Sequence, residues 1–115
     1  MARLTRRISW LKAARRDFEA FPRGARDAAL DALAVAAGGG TPGIAKPLKG
    51  FGSGMLELAL RHRGEAYRVV YAVQIDADIW VLHAFQKKSK SGIKTPKAEI
   101  DLIHARLKRL KEMLR

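Results

Sequence analysis

The hydrophobic period of this chain changes twice, and no other feature limits its fold as strongly. Leu11, Ala14, Phe18 and Phe21 recur three and four residues apart, which is the spacing of one face of a helix. From Met55 to Arg61 the pattern becomes strict alternation, with Leu56, Leu58 and Leu60 set between Glu57, Ala59 and Arg61. Tyr67, Val69, Tyr71, Val73 and Ile75 continue it on a second segment, and Ile79 to Phe85 forms a third. Such a two-residue period belongs to half-buried strands. Helical spacing then returns in Ile100, Ile103, Leu107, Leu110 and Leu114. A chain patterned in this way must place helices on a sheet.

The breaks between segments fix the order. Ile8 to Leu11 reads as a short first strand. Pro22 ends the first helix and suits the opening turn of the next, an alanine-rich segment from Arg23 to Ala37. Gly38, Gly39 and Gly40 stop that second helix, and Pro42 and Gly43 extend the break. The turn at His62 to Glu65 and the connection Asp76-Ala77-Asp78 are short, so the three strands form an antiparallel meander. Gln86 to Lys97 is polar and lysine-rich and reads as a mobile basic loop. Thr95 then suits the cap of a final helix over 96–114, with Pro96 in its first turn and Glu99 reaching back. The predicted order is β-α-α-β-β-β-α. This is an α+β fold in which an N-terminal helical hairpin and a C-terminal helix pack on a small, twisted, mostly antiparallel sheet. Residues 1–115 form a single domain on this reading.

Charge narrows the function. Lys and Arg number 23 against 11 Asp and Glu, a formal net charge of +12. So strong a positive field on a small body points to nucleic acid, an anionic surface or an acidic protein. Arg3, Arg6, Arg7, Lys12, Arg15 and Arg16 crowd the first residues without an acid among them. Ile8, Trp10 and Leu11 lead straight into the first helix with no small-residue cleavage site, so this stretch reads as folded domain and not as a presequence. The chain has no cysteine, which excludes disulfides, thiolate metal sites and a thiol nucleophile. No apolar run approaches the roughly 20 residues of a spanning helix. A cytoplasmic protein without membrane attachment is the default.

Most catalytic signatures are missing. The glycines at 50, 52 and 54 precede a strand, so they do not build the strand–loop–helix geometry that cradles phosphate. What remains is a set of cations around the sheet: Lys46, Lys49, Arg61, Arg63, Arg68, Lys87, Lys88, Lys90 and Lys94. Arg61 and Arg68 lie off the apolar faces of their strands, which directs both to an open sheet face. The planar guanidinium fork suits phosphate there. His83 shares strand parity with Ile79, Val81 and Phe85, so it is either a satisfied core histidine or a proton-transfer group at a strand end. Tyr71 falls on the core side. Trp80 lies opposite His83 in parity, which puts one of the two on the open face. His62 and His104 read as surface residues.

Several of these segments together resemble a known family. Tyr67-Arg68-Val69-Val70-Tyr71, then Val81-Leu82-His83-Ala84-Phe85-Gln86-Lys87-Lys88, then Thr95-Pro96 and a helix ending Arg106-Leu107-Lys108-Arg109-Leu110 are similar to the phage-derived Gp49-like proteins. These belong to the HigB/RelE group of type II toxins from toxin–antitoxin systems. Leu48-Lys49-Gly50 and Leu56-Glu57-Leu58 fit the family's central strands, and the likeness runs from residue 8 to residue 112. The resemblance implies a RelE-like fold and a ribosome-dependent mRNA endonuclease that uses no metal or other cofactor. It further implies a cognate helix-turn-helix antitoxin and encounters with ribosome and mRNA.

Within that resemblance, Arg68 matches the strand arginine that stabilises the phosphorane. Lys87 and Lys88 match the cationic pair after the last strand, and His83 matches a histidine that moves a proton. Lys46, Lys49, Arg61, Arg63, Lys90 and Lys94 are the accompanying RNA contacts. Ala59 stands where relatives often carry a charged residue, and the final helix lacks the tyrosine that some relatives use in catalysis. Two alternatives stay open. One is a ParE-like toxin that inhibits gyrase without cleaving RNA, and the other is a non-catalytic basic RNA-binding module. In any toxin, an acidic or apolar antitoxin segment is expected over the open sheet face or the final helix.

Overall fold

The computed structural model describes residues 5–88 and 94–115. In chain order the elements are β1 (Ile8–Trp10), α1 (Lys12–Glu19), α2 (Arg23–Ala37), β2 (Ala45–Pro47), β3 (Met55–His62), β4 (Glu65–Ala72), β5 (Ile79–Lys87) and α3 (Lys97–Met113). The α+β class and the mostly antiparallel sheet agree with the sequence reading. The five strands lie in the order β1-β5-β4-β3-β2. Only the β1–β5 pair is parallel. Several boundaries differ from expectation: β4 stops at Ala72, so Val73 and Ile75, read as strand, belong to the connection before β5. Ala45–Pro47, read as part of a connection, is an edge strand paired with Leu56 to Leu58. It is too short for its alternation to show in the sequence. Gln86 and Lys87, read as loop, continue β5 opposite Tyr67 and Ala66.

Each local break has its reason. Gly39 adopts a φ of 96° just past α2, where a side chain would be strained, while its N–H closes on the Ala36 carbonyl. The β3–β4 hairpin closes through two residues, Arg63 and Gly64, with φ of 52° and 82°. Positive φ at both positions is the turn that matches strand twist. At the other end, Arg6 donates to the carbonyls of Val73, Asp76, Ala77 and Asp78. It thereby satisfies the connection between β4 and β5, whose carbonyls have no strand partner. This member of the basic N-terminal run has a structural task.

The sheet is covered on both faces, which the sequence reading did not expect. On one side α1 and α2 lie over Leu58, Leu60, Tyr67, Val69, Tyr71, Ile79 and Val81. Phe18, Phe21 and Leu33 interleave with these, and Tyr71 is fully buried there. On the other side α3 brings Ile103 and Leu110 onto Met55, Val70, Ala72 and Leu82. The face expected to be open is therefore a second, smaller core. The alternating pattern conceals it, because Val70, Ala72 and Leu82 are the residues between the obvious apolar positions.

Both Ile103 and Leu110 are completely buried. Replacing Ile103 by Ala is expected to cost about 2–5 kcal/mol in urea unfolding, with an unchanged denaturant slope. A loss well below 1 kcal/mol would mean that α3 does not seal this face.

Candidate functional site

The hairpin register sets which polar side chains meet on the α3 side of the sheet. Glu57 pairs with Val70 and Ala59 with Arg68 across β3 and β4, so Glu57 and Arg68 are diagonal neighbours on one face. Arg68 donates from Nη1 to Glu57 Oε1 at 2.7 Å, and both side chains are about nine-tenths buried. Thr95 donates its hydroxyl to Glu57 Oε2 at 2.6 Å. Arg68 is thus a buried arginine neutralised by a carboxylate, not a guanidinium standing free on an open face. Its Nε lies buried with no hydrogen-bond partner among the described residues.

A bulge in β5 decides the rest. Val70 pairs with His83 while Tyr71 pairs with Val81, which leaves Leu82 without a partner on β4. One extra residue resets strand parity. Ile79, Val81 and Ala84 consequently face the helical hairpin, whereas Leu82 joins the α3 core and His83 meets α3 side chains. Trp80 also packs on the α3 core. The expectation that His83 shares a face with Ile79 and Val81, and opposes Trp80, is overturned by this bulge. Beyond it, Phe85 sits opposite Arg68 and Lys87 opposite Ala66, which in turn pairs with Arg61. Lys46 pairs with Glu57 in the row that ends at His83. The ladder therefore gathers Lys46, Arg61, Arg68, His83 and Lys87 on one face. Lys46 and Arg61 are exposed, and Lys87 is buried.

The remaining predicted cations scatter. Lys49, Arg63 and Lys94 are exposed, Arg63 at the tip of the β3–β4 hairpin and Lys94 just before α3. Lys88 is exposed at the end of β5. Lys90 lies outside the described residues. His104 is exposed, as expected, and stacks on Phe51 with ring centroids 4.0 Å apart. His62 lies against Gly24, where a side chain would collide with its ring.

His83 has both ring nitrogens engaged. Arg106 Nη1 lies 2.8 Å from Nδ1 and also donates to the carbonyl of the bulged Leu82 at 3.0 Å. A guanidinium N–H can only donate, so Nδ1 is the acceptor and the ring proton resides on Nε2. Nε2 donates it to Glu99 Oε1 at 3.0 Å. Burial pushes the His83 pKa below the usual histidine value and the Arg106 charge adds to this, against the opposing pull of Glu99 and Asp17. Asp17 of α1 reaches Arg106 Nη2 at 3.5 Å. Glu57, Thr95, Glu99 and Arg106 were missed by sequence reasoning as members of this group. Thr95 and Glu99 were assigned to a capping box, but Pro96 occupies the cap position and no side chain caps α3. Both side chains are committed instead to buried polar partners on the sheet.

Beside His83, a cavity of about 520 Å³ opens between the end of α1 and α3. Asp17, Phe21, Tyr67, Phe85, Glu99 and His83 itself are among its walls. The Glu99 side chain is 25% exposed and that of His83 only 3%. The cavity thus meets the carboxylate more openly than it meets the imidazole.

Removing Glu57 would leave Arg68 charged and buried. The Glu57→Ala variant is expected to lose about 3–5 kcal/mol by denaturant unfolding. A change under 1 kcal/mol would mean that the pair is solvated in solution. The His83 shift also has a sign. Because its folded pKa lies below the unfolded value, the unfolded chain binds more protons, and stability falls as pH drops below about 6.5. Thermal unfolding of wild type beside His83→Gln across pH 5 to 8 checks this, since the histidine's share of the loss disappears in the variant.

Residues 16–108 match the family described as phage derived protein Gp49-like. No curated protein sequence matches the chain. Among solved structures, the toxin–antitoxin complex RelBE2 from Mycobacterium tuberculosis contains a similar chain, 20% identical, with a TM-score of 0.48. The similarity covers 76% of this chain and 98% of that one. Among the described residues, no helix is long and apolar enough to cross a membrane.

Proposed function

The chain belongs to the Gp49-like family of phage-derived proteins, and on that premise we propose that it is a toxin of a type II toxin–antitoxin system that cleaves mRNA on the ribosome. The observation that carries the reading is the β5 bulge, which brings His83 and Lys87 onto the face that holds Arg68 and Arg61. One face then combines cations for phosphate with a hydrogen-bonded imidazole–carboxylate pair. The chemistry such a face supports is attack of a ribose 2′-oxygen on the adjacent phosphorus, with the bond to the 5′-oxygen breaking. Charge accumulates on the phosphorane oxygens, where fixed cations stabilise it. In this reading Arg68, with Lys87 and Lys88, takes that charge, and the His83–Glu99 pair handles the proton. Dependence on the 2′-hydroxyl restricts the substrate to RNA.

Lys46, Lys49, Arg61, Arg63, Lys90 and Lys94 would hold the message and ribosomal RNA by phosphate contacts, which carry little sequence information. A net charge of +12 supplies a salt-sensitive attraction to the ribosome. The neutralising partner is a helix-turn-helix antitoxin whose acidic or apolar segment covers this face. A cytoplasmic site of action follows from the substrate.

The test is induced expression in a bacterial host, wild type beside Arg68→Ala and Arg68→Lys, with primer extension on a reporter mRNA. The lysine variant keeps a charge partner for Glu57 while losing the planar fork, so it separates chemistry from folding. Growth arrest with new 5′ ends in the translated region is expected for wild type only. Arrest with intact mRNA would overturn the nuclease reading in favour of a gyrase-directed toxin. Binding to RNA without arrest or cleavage would leave a basic binding module.

A further inference from the structure

We propose that Glu99, at the start of α3, is the side chain that exchanges a proton with RNA, and that His83 and Arg106 are its positioning residues. This rests on the nuclease reading above and assigns a role to residues that the family resemblance did not single out.

The available lone pairs separate the imidazole from the carboxylate. His83 is 2% exposed, its Nδ1 accepts from Arg106 and its Nε2–H is given to Glu99. No nitrogen lone pair of this ring is left to take a proton from a substrate hydroxyl. Glu99 is different. One carboxylate oxygen receives the His83 proton at 3.0 Å, and the side chain is a quarter exposed and lines the cavity of about 520 Å³ beside β5. In the usual imidazole–carboxylate pair the carboxylate stands behind and the ring meets the substrate. Here the order is reversed.

The arrangement behind Glu99 holds one tautomer. Arg106 donates to Nδ1 and to the Leu82 carbonyl, and Asp17 of α1 lies on its other nitrogen at 3.5 Å. The charged groups around His83 are therefore Glu99 and Arg106 from α3 and Asp17 from α1, with Glu57 of β3 in its strand row. With Nδ1 occupied, the ring always presents an N–H to Glu99. That bond orients the carboxylate. As the 2′-oxygen attacks phosphorus, Glu99 accepts the 2′-hydroxyl proton and the P–O5′ bond breaks. The leaving oxygen takes a proton from solvent, to which Glu99 then returns its own.

The test compares cleavage rates on programmed ribosomes against pH for wild type, Glu99→Gln, His83→Phe and Arg68→Lys. Glutamine keeps an acceptor for the His83 N–H, so the fold and the α3 contact survive, but the proton site is gone. Glu99→Gln is expected to cleave about 10²- to 10⁴-fold more slowly and to lose the acidic limb of the profile. His83→Phe removes the N–H that orients the carboxylate, so the rate at saturating ribosomes is expected to fall about 10-fold or more per folded molecule while the half-saturating ribosome concentration stays unchanged. A purely structural role for His83 would lower the amount of folded protein without changing the rate per folded molecule. If Glu99→Gln keeps the wild-type rate and limb while Arg68→Lys is inactive, the assignment of Glu99 is wrong and the nuclease reading stands. A folded wild-type protein that leaves ribosome-bound mRNA intact would overturn both.

Discussion

One guanidinium holds the bulged strand and the last helix together. Arg106 reaches from the last helix to the carbonyl of Leu82, the residue that interrupts the β4–β5 ladder, and to the ring of the next residue, His83. A bulge leaves one residue of the strand unpaired with its neighbour, and here a side chain from another element satisfies the stranded carbonyl. Every assignment of side chains to faces beyond residue 82 follows from that interruption. α3 is thus more than a lid on apolar surface: it fixes the register feature that brings histidine, phenylalanine and lysine onto the face of Arg68.

The same economy of cations runs through the molecule. A chain with a net charge of +12 looks like a surface of free positive charge, yet three of its arginines are internal connectors. Arg6 ties the β4–β5 connection, Arg68 answers Glu57, and Arg106 links α1, β5 and α3. Arginine suits these tasks because its planar fork serves several acceptors while remaining charged. Net charge therefore describes the field at long range, whereas the few cations whose partners are fixed hold the elements together. The buried Glu57–Arg68 pair contributes little attraction at a distance but fixes one guanidinium on the α3 side of the sheet.

Much of the fold was legible in the sequence. Alternation marks β3 to β5 as strands and helical spacing marks α1 and α3 as helices, and α2 ends where its glycines begin. The Glu57–Arg68 meeting was also within reach, because a two-residue turn at Arg63-Gly64 fixes the hairpin register. The bulge was not. No glycine or proline marks Leu82, and an apolar residue there fits either face until α3 is docked. Parity arguments for His83 and Trp80 failed for that reason. Thr95 and Glu99 have the spacing of a capping box, and sequence cannot show that stronger acceptors and donors on the sheet claim both side chains. Edge strand β2, at three residues, is too short to carry a period.

A substitution tunes a site by degrees, but strand register is a discrete variable with two settings. If β5 paired without the bulge, the set His83, Phe85 and Lys87 would give way to Ala84 and Gln86 on this face without any residue being changed. The bulge thus acts as a toggle that decides which of two sets of side chains in one strand meets α3.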